Sequence, residues 1–304
     1  MQVKNFLPHA ALLGANMIYG INYSVAKEVM PEYISPFGFI FSRVLGALLL
    51  FWLFSAFGKN EKVKGKHLRR LFLCGLFGVA GNQLMFFYGL NLTNPINAAI
   101  IMTCNPILVL LISAFLIGER ITPKKVGGIF LGLVGAAGLI LNKNQLTVSS
   151  EHLIGDLFIF LNASSYAVYL VLVKPMMKLY RPITVIKYVF FFGFLIVIPF
   201  GFNDFSAVQW EDFRATTWYS FLFVVIGTTF LAYLFNIFAL KRLNPSVVST
   251  YIYSQPLVAT IVALLMKKDE LSMVKILSAL FVFIGVYMVS SRKNKVIKTE
   301  EGNP

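Results

Sequence analysis

Long apolar runs alternate along this chain with short breaks that hold most of its charges. The runs are continuously apolar and lack a two-residue alternation. Their lengths match the roughly 17–25 residues that a helix needs to cross a hydrocarbon core of about 30 Å. Only helices and closed barrels satisfy their own backbone in that medium, and barrel strands would alternate, so helices are predicted. Ten fit, over residues 8–28, 36–57, 71–90, 96–117, 124–141, 154–173, 183–203, 217–240, 246–266 and 273–291. The fifth is the shortest and is rich in glycine. Its Gly128 and Gly132 have the small-xxx-small spacing that lets two helices approach closely. Lys4 followed by an apolar run also fits a secretory signal, but the run continues to Val25 and has a counterpart in the second half, which favours a spanning helix.

The pattern of breaks occurs twice. Shifting the stretch from Asn94 to Ile140 forward by 150 residues places Asn94, Pro95, Pro106, Lys125 and Gly135 on Asn244, Pro245, Pro256, Lys275 and Gly285. Asn105/Gln255, Cys104/Ser254, Glu119/Asp269 and Thr122/Ser272 are near-matches at the same offset. Regular punctuation at large spacing marks an internal repeat. Ten helices in two repeats make five each, an odd number, so the second copy enters the membrane from the opposite side. The expected fold is an all-α integral membrane protein of ten transmembrane helices, arranged as two inverted five-helix repeats. Residues 1–142 and 143–291 would form the repeats, and 292–304 a charged cytoplasmic tail. Inverted repeats of this kind build secondary transporters, with the substrate site near the midplane where helices are interrupted. Pro106 and Pro256 are the predicted helix breaks, each crowding the carbonyl four residues earlier, at Met102 and Ile252.

Composition agrees with a lipid environment. Of the 304 residues 58% are hydrophobic and 13% charged, with mean hydropathy +0.75. Soluble domains carry about 25% charged residues. The net charge of +14 is spread over the breaks instead of forming one stripe, which excludes nucleic acid as the expected partner. Most of the 27 basic residues fall in breaks on one side if the N-terminus is cytoplasmic, so both termini are expected inside a cell membrane. The longest outer loop, 203–216, is acidic and adjoins Trp210, Trp218 and Tyr219, which suit an interfacial belt. Cys74, Cys104, His9, His67 and His152 are scattered, and no metal ligand set, catalytic constellation or cofactor motif is present.

Candidate cavity residues are polar side chains at membrane depth. Helix 1 offers Tyr19, Asn22 and Tyr23; helix 3 offers Asn82 and Gln83; helix 4 offers Asn97, Thr103 and Asn105. Helix 6 offers Asn162, Ser165, Tyr166 and Tyr169; helix 8 offers Thr229, Tyr233 and Asn236; helix 9 offers Tyr251, Tyr253 and Gln255. Interhelical hydrogen bonding is the competing reading for each, at about 0.6 kcal/mol on average. Asn105 and Gln255 stand out because each immediately precedes its midplane proline. Arg43 is the only cation well inside a span, roughly 10 Å deep at 1.5 Å per residue. Snorkelling, a pair with Glu28 or Glu32, and an anionic substrate group are the alternatives for its charge. Lys187 marks a cytoplasmic boundary. The expected substrate site is Arg43, Asn105, Gln255, Tyr253, Tyr166 and Asn22.

The layout resembles the EamA-like branch of the drug/metabolite transporter superfamily, over roughly 8–291. The residues that carry this are Tyr19-Gly20, Arg43, Asn94-Pro95, the Gly118-Glu119-Arg120 corner and Asn244-Pro245. Two departures are Tyr19, where the family usually has tryptophan, and the second corner, Lys268-Asp269-Glu270, which lacks its glycine. The resemblance implies a central cavity formed by helices 1–4 and 6–9, with 5 and 10 peripheral. It also implies that the small four-helix relatives' route to cationic-drug antiport, through a carboxylate in helix 1, is absent, because residues 8–27 contain none. A secondary transporter that exports a small metabolite, such as an amino acid or organic acid, by alternating access is the expected function. Its expected partners are that solute, the bilayer and a second copy in a homodimer. A channel or a lipid-translocating protein is the alternative, and an intramembrane enzyme ranks behind both. Reporter tags after Lys64 and at Pro304 should read as cytoplasmic and one at Ser206 as external; Ser206 and Pro304 on one side would exclude the inverted arrangement.

Overall fold

The computed structural model describes residues 3–26, 29–58, 61–93, 95–141, 150–265 and 272–290. Among these residues the secondary structure is helical, with no strand. The helices are α1 (Val3–Val25), α2 (Pro36–Ala56), α3 (Gly65–Gly75), α4 (Gly81–Leu92), α5 (Pro95–Met102), α6 (Asn105–Ile117), α7 (Pro123–Leu141) and α8 (Ser150–Val173). They continue with α9 (Met176–Leu179), α10 (Pro182–Ser206), α11 (Ala215–Leu222), α12 (Ala232–Arg242), α13 (Pro245–Thr250), α14 (Ser254–Leu265) and α15 (Met273–Ser290). A π-helical segment, Leu76–Ala80, joins α3 to α4, and another, Phe223–Leu231, joins α11 to α12. A 3-10 turn, Tyr251–Tyr253, lies between α13 and α14.

Among the described residues seven spans are long and apolar enough to cross a membrane: Pro36–Ala56, Gly65–Leu92, Ile100–Ile117, Leu153–Leu179, Pro182–Ser206, Ala215–Arg242 and Met273–Ser290. Ten were expected. The other three stretches, α1, α7 and α13 to α14, are helical where the sequence predicts helices but are not among those seven. Glu28, Asn94, the Lys268-Asp269-Glu270 corner and the tail fall outside the described residues, as do the side chains of Tyr23 and Asn97.

Local chemistry sets the helix ends. At the start of α2, the Ser35 hydroxyl accepts from the Gly38 N–H at 3.2 Å, while Pro36 occupies a first-turn position where no N–H is needed. The same hydroxyl donates to Asp204 at the end of α10. At the end of α6, Gly118 takes φ 66°, and the Glu119 N–H reaches back to the Ser113 carbonyl at 3.1 Å. That left-handed cap ends the helix and aims Glu119 across the bundle.

The packing repeats what the sequence repeats. α1 lies against α12 and α14, and α8 lies against α4 and α6. α2 packs on α10, and α7 on α15. Exchanging the two halves converts each of these pairs into another or into itself, which is what a pseudo-two-fold relation requires. Moving the first π-helical segment by 150 residues places it inside the second. Gln83 and Tyr233, separated by that same interval, meet directly, Nε2 to hydroxyl at 3.3 Å.

Polarity is inverted relative to a water-soluble protein. Phe115 is 90% exposed, whereas Asn105 and Thr229 are fully buried. Where two helices have no hydrophobic drive to associate, close backbone approach and polar contacts supply the attraction. A Cβ on Gly128 would stand 2.8 Å from the Gly285 carbonyl oxygen, and one on Gly135 would stand 2.6 Å from that of Ser278. Gly132 has a different neighbour: a Cβ there would meet the Tyr253 ring at 2.3 Å. The α7 glycines therefore serve two contacts. Replacing Gly135 with valine should force α7 and α15 apart at about 1–3 kcal/mol, measured as lower thermal stability in detergent.

Candidate functional site

A cavity of about 110 Å³ lies inside the bundle. Asn16, Tyr19 and Asn22 of α1 line it, with Arg43 of α2 and Asn82, Gln83, Phe86 and Phe87 of α4. Met102 ends α5, and α8 adds Asn162 and Tyr166. The opposite wall is Thr228 in the second π-helical segment, Tyr233 and Asn236 of α12, then Val248, Ile252 and Gln255 around the break between α13 and α14. At about 10–15 Å³ for each water-sized group, this space suits a small metabolite. Neither α7, α10 nor α15 contributes a lining residue. Helices 5 and 10 of the sequence reading are thus peripheral, as the resemblance implied. Helix 7 is peripheral too, so Lys187 lies elsewhere, its ammonium 2.8 Å from the Ser55 hydroxyl and 5.0 Å from the Trp52 ring centre.

Arg43 is 4% exposed and does not snorkel. Its Nε donates to the Thr229 hydroxyl at 2.9 Å, and its guanidinium carbon lies 4.8 Å from the Phe87 ring centre and 5.9 Å from that of Phe39. Among the described residues no carboxylate is within ion-pair distance of it, and Glu32 is exposed at the surface. Inserting such a cation deep in a membrane costs at least about 2.5–3.5 kcal/mol. A desolvated cation–π contact contributes up to about 2 kcal/mol and a charged hydrogen bond about 1.5–3. The two together offset the cost while leaving the terminal nitrogens of the guanidinium uncommitted. That makes Arg43 both tolerable and available.

The remaining polar groups divide into tied and untied ones. Asn22 accepts from Thr228 at 3.0 Å, Gln255 donates to Asn16 at 2.9 Å, and Asn236 donates to the Tyr19 hydroxyl at 3.3 Å. Each of these bonds joins the two halves of the chain. Two amide oxygens of the cavity lining are buried without a donor: Gln83 Oε1, and Asn162 Oδ1, whose own NH2 donates to the Asn82 carbonyl.

Of the six expected substrate-site residues, Arg43, Gln255, Tyr166 and Asn22 line this cavity. Asn105 and Tyr253 do not. The Asn105 amide turns to the Ala163 carbonyl of α8 at 2.7 Å, because the chain just before Pro106 faces that helix. Tyr253 is buried against Gly132 of α7, on the far side of its helix from Gln255. Both placements depart from a regular helical reading, because the chain turns at 103–104 and tightens at 251–253 and so rotates these side chains away. Sequence reading missed Asn16, which lies one turn before Tyr19 and was detectable by the i, i+3 rule. Phe86 and Phe87 gave no signal within an apolar run.

Pro106 falls in the first turn of α6, directly after the turn at 103–104, and Pro256 falls in the first turn of α14 after the 3-10 turn. The Thr103 and Cys104 N–H groups reach only three residues back, to the Ile100 and Ile101 carbonyls, at 3.0 Å each. Met102 and Ile252, four residues before the two prolines, both form part of the cavity wall. Among the described residues no cluster of metal-ligating side chains occurs. His9 meets the Tyr251 hydroxyl at 2.6 Å and His67 that of Tyr180 at 2.7 Å.

Two helical repeats interlocked around a polar cavity at broken helices define a class of multi-pass membrane protein. The EamA-like transporter family model matches residues 7–141 and again 153–291. The chain belongs to that family. It is 25% identical over 292 residues to the protein named Uncharacterized transporter YyaM of Bacillus subtilis, covering 95% of each chain. To an uncharacterized transporter of Archaeoglobus fulgidus it is 27% identical, over 96% of this chain and 100% of the other. Protein WALLS ARE THIN 1 of Arabidopsis thaliana is 26% identical over 94% of this chain and 83% of its own length. A solved crystal structure with 17% sequence identity superposes with a TM-score of 0.74 over 93% of this chain and 96% of that one, an agreement in fold. The protein is therefore a membrane transporter with a small-molecule substrate, placed in a lipid bilayer. Replacing Pro106 and Pro256 together with alanine should let the two breaks close into continuous helix and slow solute uptake at least about tenfold, without loss of membrane insertion; full uptake in that variant would assign both prolines to packing alone.

Proposed function

We propose that this transporter carries a small zwitterionic or anionic metabolite, an amino acid or an organic acid, across the cell membrane by alternating access, in the direction of export. In this reading ten helices span the membrane as two inverted repeats, both termini are cytoplasmic, and the halves rock about the cavity. The observation that carries the substrate assignment is Arg43, buried in the cavity with its terminal nitrogens uncommitted and no carboxylate beside it among the described residues. A substrate carboxylate would complete that guanidinium in a two-pronged geometry that lysine does not reproduce. The unpartnered oxygens of Gln83 and Asn162 supply acceptors for an ammonium group on the same solute, which favours a zwitterion over a simple acid. Phe86, Phe87 and Tyr166 offer ring surface to the uncharged remainder. The repeat-exchanging contacts support alternating access, since Asn22–Thr228, Gln255–Asn16 and Asn236–Tyr19 all cross between the halves.

The test is counterflow in proteoliposomes, where a carrier exchanges solute for solute, a channel does not, and an enzyme alters the solute. Loading each face in turn reads the direction. Arg43→Gln should abolish exchange of the carboxylate substrate, and Arg43→Lys should weaken it by about tenfold or more, the share of one charge-assisted hydrogen bond. Normal exchange in both variants at normal expression would make Arg43 a helix anchor and remove the charge assignment.

A further inference from the structure

We infer that α13 is a gate on the cavity and that the Glu119 carboxylate is the latch holding it closed at one end of the bundle, a role that presupposes the transporter reading above. α13 is only six residues long, and all six are buried. The 3-10 turn Tyr251–Tyr253 separates it from α14, so it can move without carrying the rest of that helix. Its own hydroxyls stiffen it: Ser249 and Thr250 both donate to the Ser246 carbonyl, at 3.1 and 2.6 Å. Val248 on α13 and Ile252 in the turn after it form cavity wall. A rigid piece that walls the cavity and is joined through a break has the form of a gate.

Its N-terminal end, joined to α12 through Leu243 and Asn244, is fastened by charge. The Ser246 hydroxyl donates to Glu119 Oε1, and the Lys125 ammonium donates to the same oxygen at 2.8 Å and to the Arg120 carbonyl at 2.9 Å. Lys125 and Glu119 thus form a salt bridge. The left-handed turn at Gly118 and the back-bond from Glu119 to Ser113 fix the corner from which the latch projects. This corner belongs to the first half of the chain and α13 to the second, so the latch joins the parts that must separate if the cavity opens at this end. The other carboxylate oxygen, Oε2, is buried with no hydrogen-bond partner. A carboxylate held on one side only is an incomplete bargain with its surroundings, and opening toward water would complete it. The closed latch is therefore held and releasable. The proposed topology puts this end in the cytoplasm.

The experiment uses a chain in which serine replaces Cys74 and Cys104 and V248C supplies a single cysteine on the cavity wall. Alkylation by a membrane-impermeant maleimide is followed in vesicles of each orientation. Glu119→Gln removes the charge and Ser246→Ala removes the hydroxyl that the gate contributes. Each should raise the alkylation rate from the α6–α7 side by about tenfold or more, the shift in a two-state population that loss of one charge-assisted hydrogen bond produces. The rate from the other side should not rise. Ser246→Ala keeps the Glu119–Lys125 pair and so decides the matter alone if the Glu119 variant fails to reach the membrane. Unchanged alkylation overturns the gate whatever the counterflow assay shows. Faster alkylation in a protein whose wild type exchanges none of the amino acids or organic acids offered would leave the gate standing and remove the substrate assignment.

Discussion

A hydrocarbon medium gives a peptide group nothing to bond with, and most features of this protein follow from that constraint. It requires the apolar runs to be helical, because a helix satisfies each N–H and C=O within its own segment. It also makes every interruption informative. A broken helix at membrane depth survives only where protein or a cavity receives the exposed backbone. The breaks beside Pro106 and Pro256 meet this condition, since Met102 and Ile252 border the same cavity. The two π-helical segments, at equivalent places in the two halves, flank that cavity as well, and one of them supplies Thr228 to its wall. Irregular backbone is thus concentrated around one polar interior.

That interior brings a single cation into a site otherwise built from amides, hydroxyls and rings. The first half supplies Arg43, while Gly193 lies at the corresponding offset in the second half. α10, the helix that carries this glycine, adds nothing to the cavity wall. Duplication made the scaffold symmetric and left its electrostatics one-sided. In the proposed reading a charge so placed would orient a polar solute, with one end at the guanidinium and the other at the acceptors on α4 and α8. The surroundings of Arg43 explain why it persists without a counter-ion: the Phe87 and Phe39 ring faces and the Thr229 hydroxyl replace part of its lost hydration.

The α7–α15 pair has a different task. Its glycines bring backbones into contact at Gly128 and Gly285, and neither helix reaches the cavity. The same glycine-rich stretch receives the Tyr253 ring at Gly132, which anchors the 3-10 turn from outside while Ile252 faces inward. Packing at the periphery thereby positions the break that shapes the site.

Periodicity and punctuation in the sequence alone determined the helical class, the duplicated unit and the positions of the two proline breaks. These depend on local and regular rules, namely the length needed to span lipid, the missing N–H of proline and the rise per residue of a helix. Tyr19, Asn22, Tyr166, Tyr233 and Gln255 were legible for the same reason, being polar at depths where polarity is costly. Only the tertiary structure decided which polar residues share a cavity. Asn105 and Tyr253 looked equivalent to Gln255 until the turns before the prolines rotated them toward Ala163 and Gly132. Phe87 is set as a wall residue by the Arg43 guanidinium brought over its ring. The bond between Glu119 and Ser246, 127 positions apart, likewise arises only when the two halves interlock. A helical period reports which face a residue occupies, but what that face meets depends on a neighbour distant in the chain.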